Sequence, residues 1–457
     1  MNRMKRVAPT FTLAVMLGIA AGARAADLVE VYKLALDSDP EFAAAVSGNK
    51  AAQEFKPQAR AALLPNIALQ ADTSYNWTRS TRIRQAPPPT GKSAAEANYN
   101  QNGFSLNLVQ PVFRWDRWVQ LGQADNRVNQ ANAELDAAAQ DLIVRTAQAY
   151  FDVLAAQDNL EFRTTTREAF NQQLNQAQQR FEVGLIAITD VEEAKAGHDL
   201  AVAEEIRARN QLENAYEALR ALVGDYLENL APLGGEVPLL PPDPNSIEQW
   251  TEKALEQNRQ LTASTFAAKV AQDEIKRRFA GHYPTVDLVA GRQYQAQSDQ
   301  PFIPGSAIDF ADTRQYVDSV GLQLNLPIFS GGLTTSQTEQ ARHLYQQALD
   351  TLEQARRGAH RQARQSFNSI TDSISGVAAL RQALASTQKA LEATEAGFQV
   401  GTRTSIDVLN AQQKTFESRR DYKNAQYGYI LGTLRLKQAA GTLSPDDLVP
   451  LNSWLKH

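Results

Sequence analysis

The sequence predicts a mixed α and β membrane protein in which long coiled-coil helices join a β-barrel shared between chains. Three observations carry that prediction. A tandem duplication spans almost all of the 457 residues, two long proline-free stretches show seven-residue apolar spacing, and four short segments alternate in polarity as strands do. Composition sets outer bounds: 43% hydrophobic and 21% charged residues fit neither a disordered chain nor a bundle of apolar membrane helices. A formal net charge of -5 lacks the basic footprint of a nucleic-acid partner. Zero cysteines remove disulfides, thiolate metal sites, cysteine nucleophiles and a lipid anchor on an amino-terminal cysteine.

At the start, Arg3, Lys5 and Arg6 precede an apolar run from Val7 to Ala23, followed by Ala23-Arg24-Ala25. This reads as a cleaved export signal over residues 1–25; a retained membrane anchor is the competing reading, disfavoured by the short run and the absence of a basic stop-transfer cluster. Its loss removes four basic groups and no acid, taking the net charge from -5 to -9.

Laid over itself, the rest repeats. Ala35-Leu36 matches Ala254-Leu255 and Pro65 matches Pro284, both at an offset of 219. Leu106-x-Leu108-x-x-Pro111-x-Phe113 returns as Leu322-x-Leu324-x-x-Pro327-x-Phe329, and Phe181-x-Val183-Gly184 as Phe398-x-Val400-Gly401. The expected organisation is a first repeat over 26–224, a linker over 225–246, a second repeat over 247–441 and a tail over 442–457.

Each repeat should open with a helix, over Pro40 to Leu64 and Ile247 to Gly281. Strands follow. Alternation is clearest from Ile67 to Trp77 and from Val320 to Ile328, with partners in Gly103 to Phe113 and Thr285 to Gln295. The polar, proline-containing loops Thr78 to Gln101 and Ala296 to Gln315 are expected as exposed tips. Strands of about 9 to 11 residues near aromatics such as Tyr75, Trp77, Phe113, Trp115 and Phe329 fit a membrane barrel. Four strands cannot close alone, and an open edge in lipid leaves backbone groups unpaired, so two, three or four chains must combine. A soluble four-stranded sheet is the alternative.

No proline interrupts Pro111 to Pro232 or Pro327 to Pro445, which permits helices over Asp116 to Val183 and Leu185 to Val223. The longer reaches about 102 Å, and the medium and short helices together nearly match it if they stack end to end. Leu121, Val128, Leu135 and Leu142, like Val377, Leu384, Leu391 and Phe398, keep the seven-residue step of nearly parallel packing. At the turns, Gly184 and Gly401 can take the left-handed helix-ending conformation, with Thr189-Asp190 and Thr404-Ser405 as capping oxygens.

The mature chain resembles TolC-type outer-membrane channels of Gram-negative bacteria. The most specific stretches are Phe181-x-Val183-Gly184-Leu185-x-Ala187-Ile188-Thr189-Asp190-Val191 and Val400-Gly401-Thr402-Arg403-Thr404-x-x-Asp407-Val408-Leu409, supported by Leu63-Leu64-Pro65 and Gly331-Gly332. The resemblance implies a homotrimer with a twelve-stranded barrel in the outer membrane and a long helical tunnel through the periplasm. It also implies a periplasmic adaptor, an inner-membrane pump of RND or ABC type, and outward passage of drugs, amphiphiles or proteins. Asp190, Thr189 and Arg403 fall where the family links neighbouring hairpins at a closed periplasmic entrance, with Gln173 and Glu395 as a further link. Phe398 stands where familiar members have a tyrosine hydroxyl in that latch. Asp407 falls on the constriction, where three copies would form an acidic ring; the second acidic position is here Asn410. First-turn capping acids on solvated hairpins are the plainer reading of Asp190 and Asp407.

Enzymatic signatures are missing: the chain holds no GxxxxGK[ST], HExxH or GxSxG, and its histidines share no metal-ligand spacing. No catalytic residue, metal or cofactor is expected. A secreted coiled-coil scaffold or adaptor without a pore is the competing class, separated from a channel by whether the strands carry a lipid-facing apolar band.

Overall fold

The computed structural model describes residues 25–83, 92–227, 229–235, 237–298 and 313–456. The export signal, except Ala25, and the centres of both long strand loops, 84–91 and 299–312, lie outside the described residues. Helices α1 (Leu28–Ser38), α2 (Pro40–Gln53) and α3 (Phe55–Ala61) precede strands β1 (Asn66–Ile83) and β2 (Lys92–Phe113). Helices α4 (Trp115–Glu182) and α5 (Ile188–Val223) follow. A similar order of elements then returns as α6 (Ile247–Gln257), α7 (Arg259–Phe279), β3 (Thr285–Ser298), β4 (Thr313–Asn325), α8 (Leu333–Gln399) and α9 (Ser405–Ala439), and α10 (Leu448–Asn452) comes last.

Four sequence expectations change. The single helix expected over Pro40 to Leu64 is broken after Gln53, because Pro57 has no N–H for the carbonyl four residues back. The helix expected from Ile247 is broken at Asn258, whose side chain caps α7 by accepting from Leu261 N at 2.9 Å. Both tip loops are shorter than their polar composition implied: β1 extends to Ile83, β2 begins at Lys92, β3 reaches Ser298 and β4 starts at Thr313. The strand expected to reach Ile328 ends at Asn325, ahead of Pro327, which cannot donate to a ladder.

The four strands form one antiparallel sheet in the order β1-β2-β3-β4. The register sorts the residues by face. Ile67, Leu108, Ala290 and Val320 share one cross-strand row, Leu69, Leu106, Arg292 and Asp318 the next, and Ala71, Phe104, Tyr294 and Tyr316 the next. The intervening rows, including Gln70, Ser105 and Gln293, and Asp72, Gly103, Gln295 and Gln315, are mostly polar. This is the alternation of a wall with one apolar and one wet side. Arg114 ties the sheet to α4 through Asp287, with Nε–Oδ1 at 3.0 Å and Nη2–Oδ2 at 2.5 Å.

The long helices pack as expected. α4 lies against α5, α2, α3, α7 and α9, and α8 against α9, α7 and α6. The medium and short helices do stack end to end. α5 ends at Gly224, whose Cα faces Ser38 one residue before the Asp39 cap of α2; α9 ends beside Asn258, whose Nδ2 donates to Ala439 O at 2.9 Å. The main core sits at this joint level, where Leu142, Tyr150, Phe151 and Leu154 of α4 meet Leu28, Leu219, Ile430, Leu434 and Leu448. Toward the hairpin tips the helices thin out to exposed, polar surfaces.

Candidate functional site: the hairpin tips

Both tips end their first helix in the same way. Leu185 N donates to Arg180 O at 2.8 Å and Gly184 N to Phe181 O at 2.9 Å; Thr402 N donates to Gly397 O at 2.8 Å and Gly401 N to Phe398 O at 3.0 Å. These bonds satisfy carbonyls that a helix end leaves open, and they require Gly184 and Gly401 at φ of 75° and 81°.

The second helices start differently. α9 has a complete capping box: Asp407 N donates to Thr404 Oγ1 at 3.2 Å, and Thr404 N donates to Asp407 Oδ2 at 2.8 Å. α5 has half of one. Ala187 N donates to Asp190 Oδ2 at 3.3 Å, but Ala187 has no oxygen to return, and Thr189 is the second helical residue and not the cap.

Asp407 is half-exposed, and its carboxyl is held below the usual aspartate range by the bonds from Thr404 N–H and the Thr404 hydroxyl, with a further contribution from the Arg403 charge. Asn410 is exposed, one turn along the same helix. Leu409, between them in sequence, is buried.

Arg403 crosses Gly397. A Cβ at Gly397 would fall 2.8 Å from Arg403 Cγ, so the bare glycine makes room for the arginine stem. The equivalent positions in the first repeat are Arg180 and Ile186, so the second tip carries its arginine after the turn glycine and the first carries one at the end of the preceding helix. The sequence singled out Arg403 without Gly397, although a glycine standing where the first repeat has Arg180 was available as a signal.

Gln173 of α4 and Phe398 of α8 line one groove of about 170 Å³ with Val408, Leu409 and Gln412 of α9. Glu395 Oε1 accepts from Gln412 Nε2 at 3.4 Å, and Gln173 Oε1 is buried with no hydrogen-bond partner among the described residues. Within one chain no ion pair joins Asp190 to Arg403 among the described residues; the two lie on different hairpins.

Higher up, Asp158 of α4 meets α9 through two bonds that the sequence did not reveal. Lys423 Nζ donates to Asp158 Oδ1, and Tyr427 Oη donates to Asp158 Oδ2 at 2.8 Å. Burial and the neighbouring Asp158 charge push the Tyr427 hydroxyl far above the ordinary tyrosine range.

The family model for outer membrane efflux protein matches residues 31–225 and 250–442. The chain is 39% identical over 453 residues to the outer membrane protein TolC of Vibrio cholerae, covering 99% of both chains. It is 30% identical over 448 residues to the alkaline protease secretion protein AprF of Pseudomonas aeruginosa, covering 97% of this chain and 90% of AprF. In fold it is similar to the CmeC outer membrane channel of Campylobacter jejuni, with a TM-score of 0.74 and 16% identity over 99% of this chain and 98% of that one. No described helix is long and apolar enough to cross a membrane. The expected outer-membrane place, with long periplasmic helices, agrees with these relatives. The chain belongs to the outer membrane efflux protein family, a family of channels and not of enzymes.

Proposed function

We propose that three copies of this chain assemble into a channel-tunnel whose shared barrel has twelve strands and whose helices enclose one periplasmic duct. The observation that carries the reading is the four-stranded sheet, apolar on one face and polar on the other, with β1 and β4 as unpaired edges. In lipid such edges are untenable, and pairing β4 of one copy with β1 of the next removes them. The division into an export signal, two repeats, the linker over 225–246 and the tail over 442–457 belongs to the same proposal.

The duct accepts cargo from a periplasmic adaptor and an inner-membrane pump of RND or ABC type, since the chain carries no signature of its own energy source. Small molecules such as drugs and amphiphiles are the main cargo. Exported proteins join them on the strength of the resemblance to AprF, a secretion protein.

At the entrance, Asp190, Thr189, Arg403, Gln173 and Glu395 form the latch between neighbouring hairpins, Phe398 packs without contributing a hydroxyl, and Asp407 forms the acidic ring with Asn410 as its uncharged neighbour. Exposed polar links of this kind contribute about 0.2 to 1 kcal/mol each, weak enough for an adaptor to open. The test is conductance of the purified protein in a planar bilayer, after outer-membrane fractionation and demonstration of a heat-modifiable trimer. Arg403→Ser should raise single-channel conductance. An unchanged conductance overturns the latch, and a protein found wholly in the soluble periplasm overturns the channel in favour of a scaffold.

A further inference from the structure

One row of the sheet's apolar face carries charge. Arg292 of β3 and Asp318 of β4 stand directly opposite each other, in the same row as Leu69 and Leu106 and next to the row of Ile67, Leu108, Ala290 and Val320. Charged side chains on a lipid-facing wall are costly, most of all near the bilayer centre. This pair does little to cancel that cost by itself: Arg292 Nε lies 3.5 Å from Asp318 Oδ1, and the two side chains remain 59% and 68% exposed. A guanidinium offers five donors, so most of Arg292's hydrogen-bonding capacity is left for something else.

The surroundings give that capacity a direction. Six residues of strand separate Arg292 from Val286 at the helix end of the sheet, about 20 Å along the strand and about 15 Å in height at the usual tilt. Arg292 therefore lies in the outer half of the apolar band. Its guanidinium leans further outward, with Cζ 6.0 Å from the centre of the Tyr316 ring. Tyr316 belongs to an aromatic row with Tyr294, at 4.7 Å between ring centres, and Phe104, at 5.3 Å from Tyr294. Such a row marks a membrane interface. One row beyond it, on the same face of β4, stands the exposed Arg314. Inward from Arg292, the small side chain of Ala290 leaves a trough of about 500 Å³ walled by Ile67, Leu106, Leu108 and Val320.

A cation at the rim, a second cation outward of it and an apolar trough beneath match an acylated lipid with a phosphate headgroup. We propose that the four strands form a binding site for a phosphorylated, acylated lipid of the outer leaflet, with Arg292 and Arg314 on the phosphate and an acyl chain in the trough over Ala290. The proposal rests on the reading of the sheet as a barrel wall. Asp318 then acts as a competitor: it holds Arg292 weakly when no phosphate is present and yields the guanidinium when one arrives.

The full-length protein, purified in detergent, is titrated with bisphosphorylated lipid A and with its dephosphorylated form, and bound lipid is counted by native mass spectrometry. Wild type should bind the phosphorylated form at least tenfold more tightly. Arg292→Gln should lose that preference, Asp318→Asn should strengthen binding severalfold by freeing the arginine, and Ala290→Leu should weaken both lipids by filling the trough. Equal binding by Arg292→Gln and wild type, or weaker binding by Asp318→Asn, overturns the site. Opposite signs for the two charge variants exclude misfolding as the cause of either. Outer-membrane fractionation of the same proteins keeps the two readings apart: absence of wild type from the membrane defeats the barrel, whereas inserted protein indifferent to phosphate defeats the lipid site alone.

Discussion

Two demands meet on the carboxyl group of Asp407. It closes the capping box of α9 through Thr404, and in the proposed trimer it also faces two copies of itself. The bonds from Thr404 lower its pKa, so the carboxylate persists below the pH at which an ordinary aspartate takes up a proton and is lost only as pH falls through the depressed value. Mutual repulsion within a ring works in the opposite direction. Thr404→Val removes the hydroxyl's share of the lowering and keeps the backbone N–H bond, so the pH midpoint for block of the channel by hexamminecobalt should move partway upward from wild type, and Asp407→Ala should abolish block. A midpoint that stays in place would show that the Thr404 hydroxyl does not govern the charge of the ring. Thr404→Val should also cost about 1 kcal/mol of helix stability as a lost cap.

The elements are joined at two related points that the duplication has treated differently. Asp39 caps α2 and is held by Arg145 at 2.8 Å, whereas its counterpart Asn258 caps α7 and donates to the end of α9. Burial pushes the Asp39 carboxyl up, but hydrogen bonds from Arg145 and from Phe42 N–H outweigh it and leave the pKa below its ordinary value. The left-handed glycines at joint and tip differ in how much room they have. A Cβ on Gly441, at φ 74°, would lie 2.0 Å from Gln257 O, while one on Gly401, at φ 81°, would meet nothing within 4 Å. Gly401→Ala should therefore cost only the left-handed penalty, about 1 kcal/mol, whereas Gly441→Ala adds a backbone clash that prises α9 from α7 and should lower the midpoint of thermal unfolding severalfold more. Much of this architecture was legible in the sequence, because a 68-residue proline-free heptad stretch and strict alternation leave few choices. The break at Asn258 and the extension of β1 and β2 were not. A cap inside an apolar run looks like ordinary helix, and polar barrel strands look like loop, since one face of each meets water. Asp190, Arg403 and Asp407 were legible as tip residues, but the Asp158 tie was hidden because its partners lie 265 and 269 positions away.

Across the whole molecule, firm contacts are unevenly distributed along the helices. The core lies near the joints, the Asp158–Lys423–Tyr427 tie sits just below it, and beyond Phe162, which packs against Phe416 at 6.2 Å, the α4 and α9 surfaces meet mainly through the polar groove at Gln173. Asp158→Asn keeps the Tyr427 bond and removes the ionic one. Amide hydrogen exchange should then rise in α8 and α9 toward the tip while the core at Leu434 and Tyr150 keeps its protection; a uniform rise would mean that the tie serves global stability instead. From Asp158 to the end of α4 at Glu182 the helix continues unbroken for 24 residues, about 36 Å. Such a shaft behaves as a lever with its fulcrum at the tie. A tilt of about 10° there carries the tip sideways by about 6 Å, roughly the width of one helical turn. An aperture worked by arms of this length needs almost no deformation at the pivot, so the force that opens it can be applied far from the place where the helices are held.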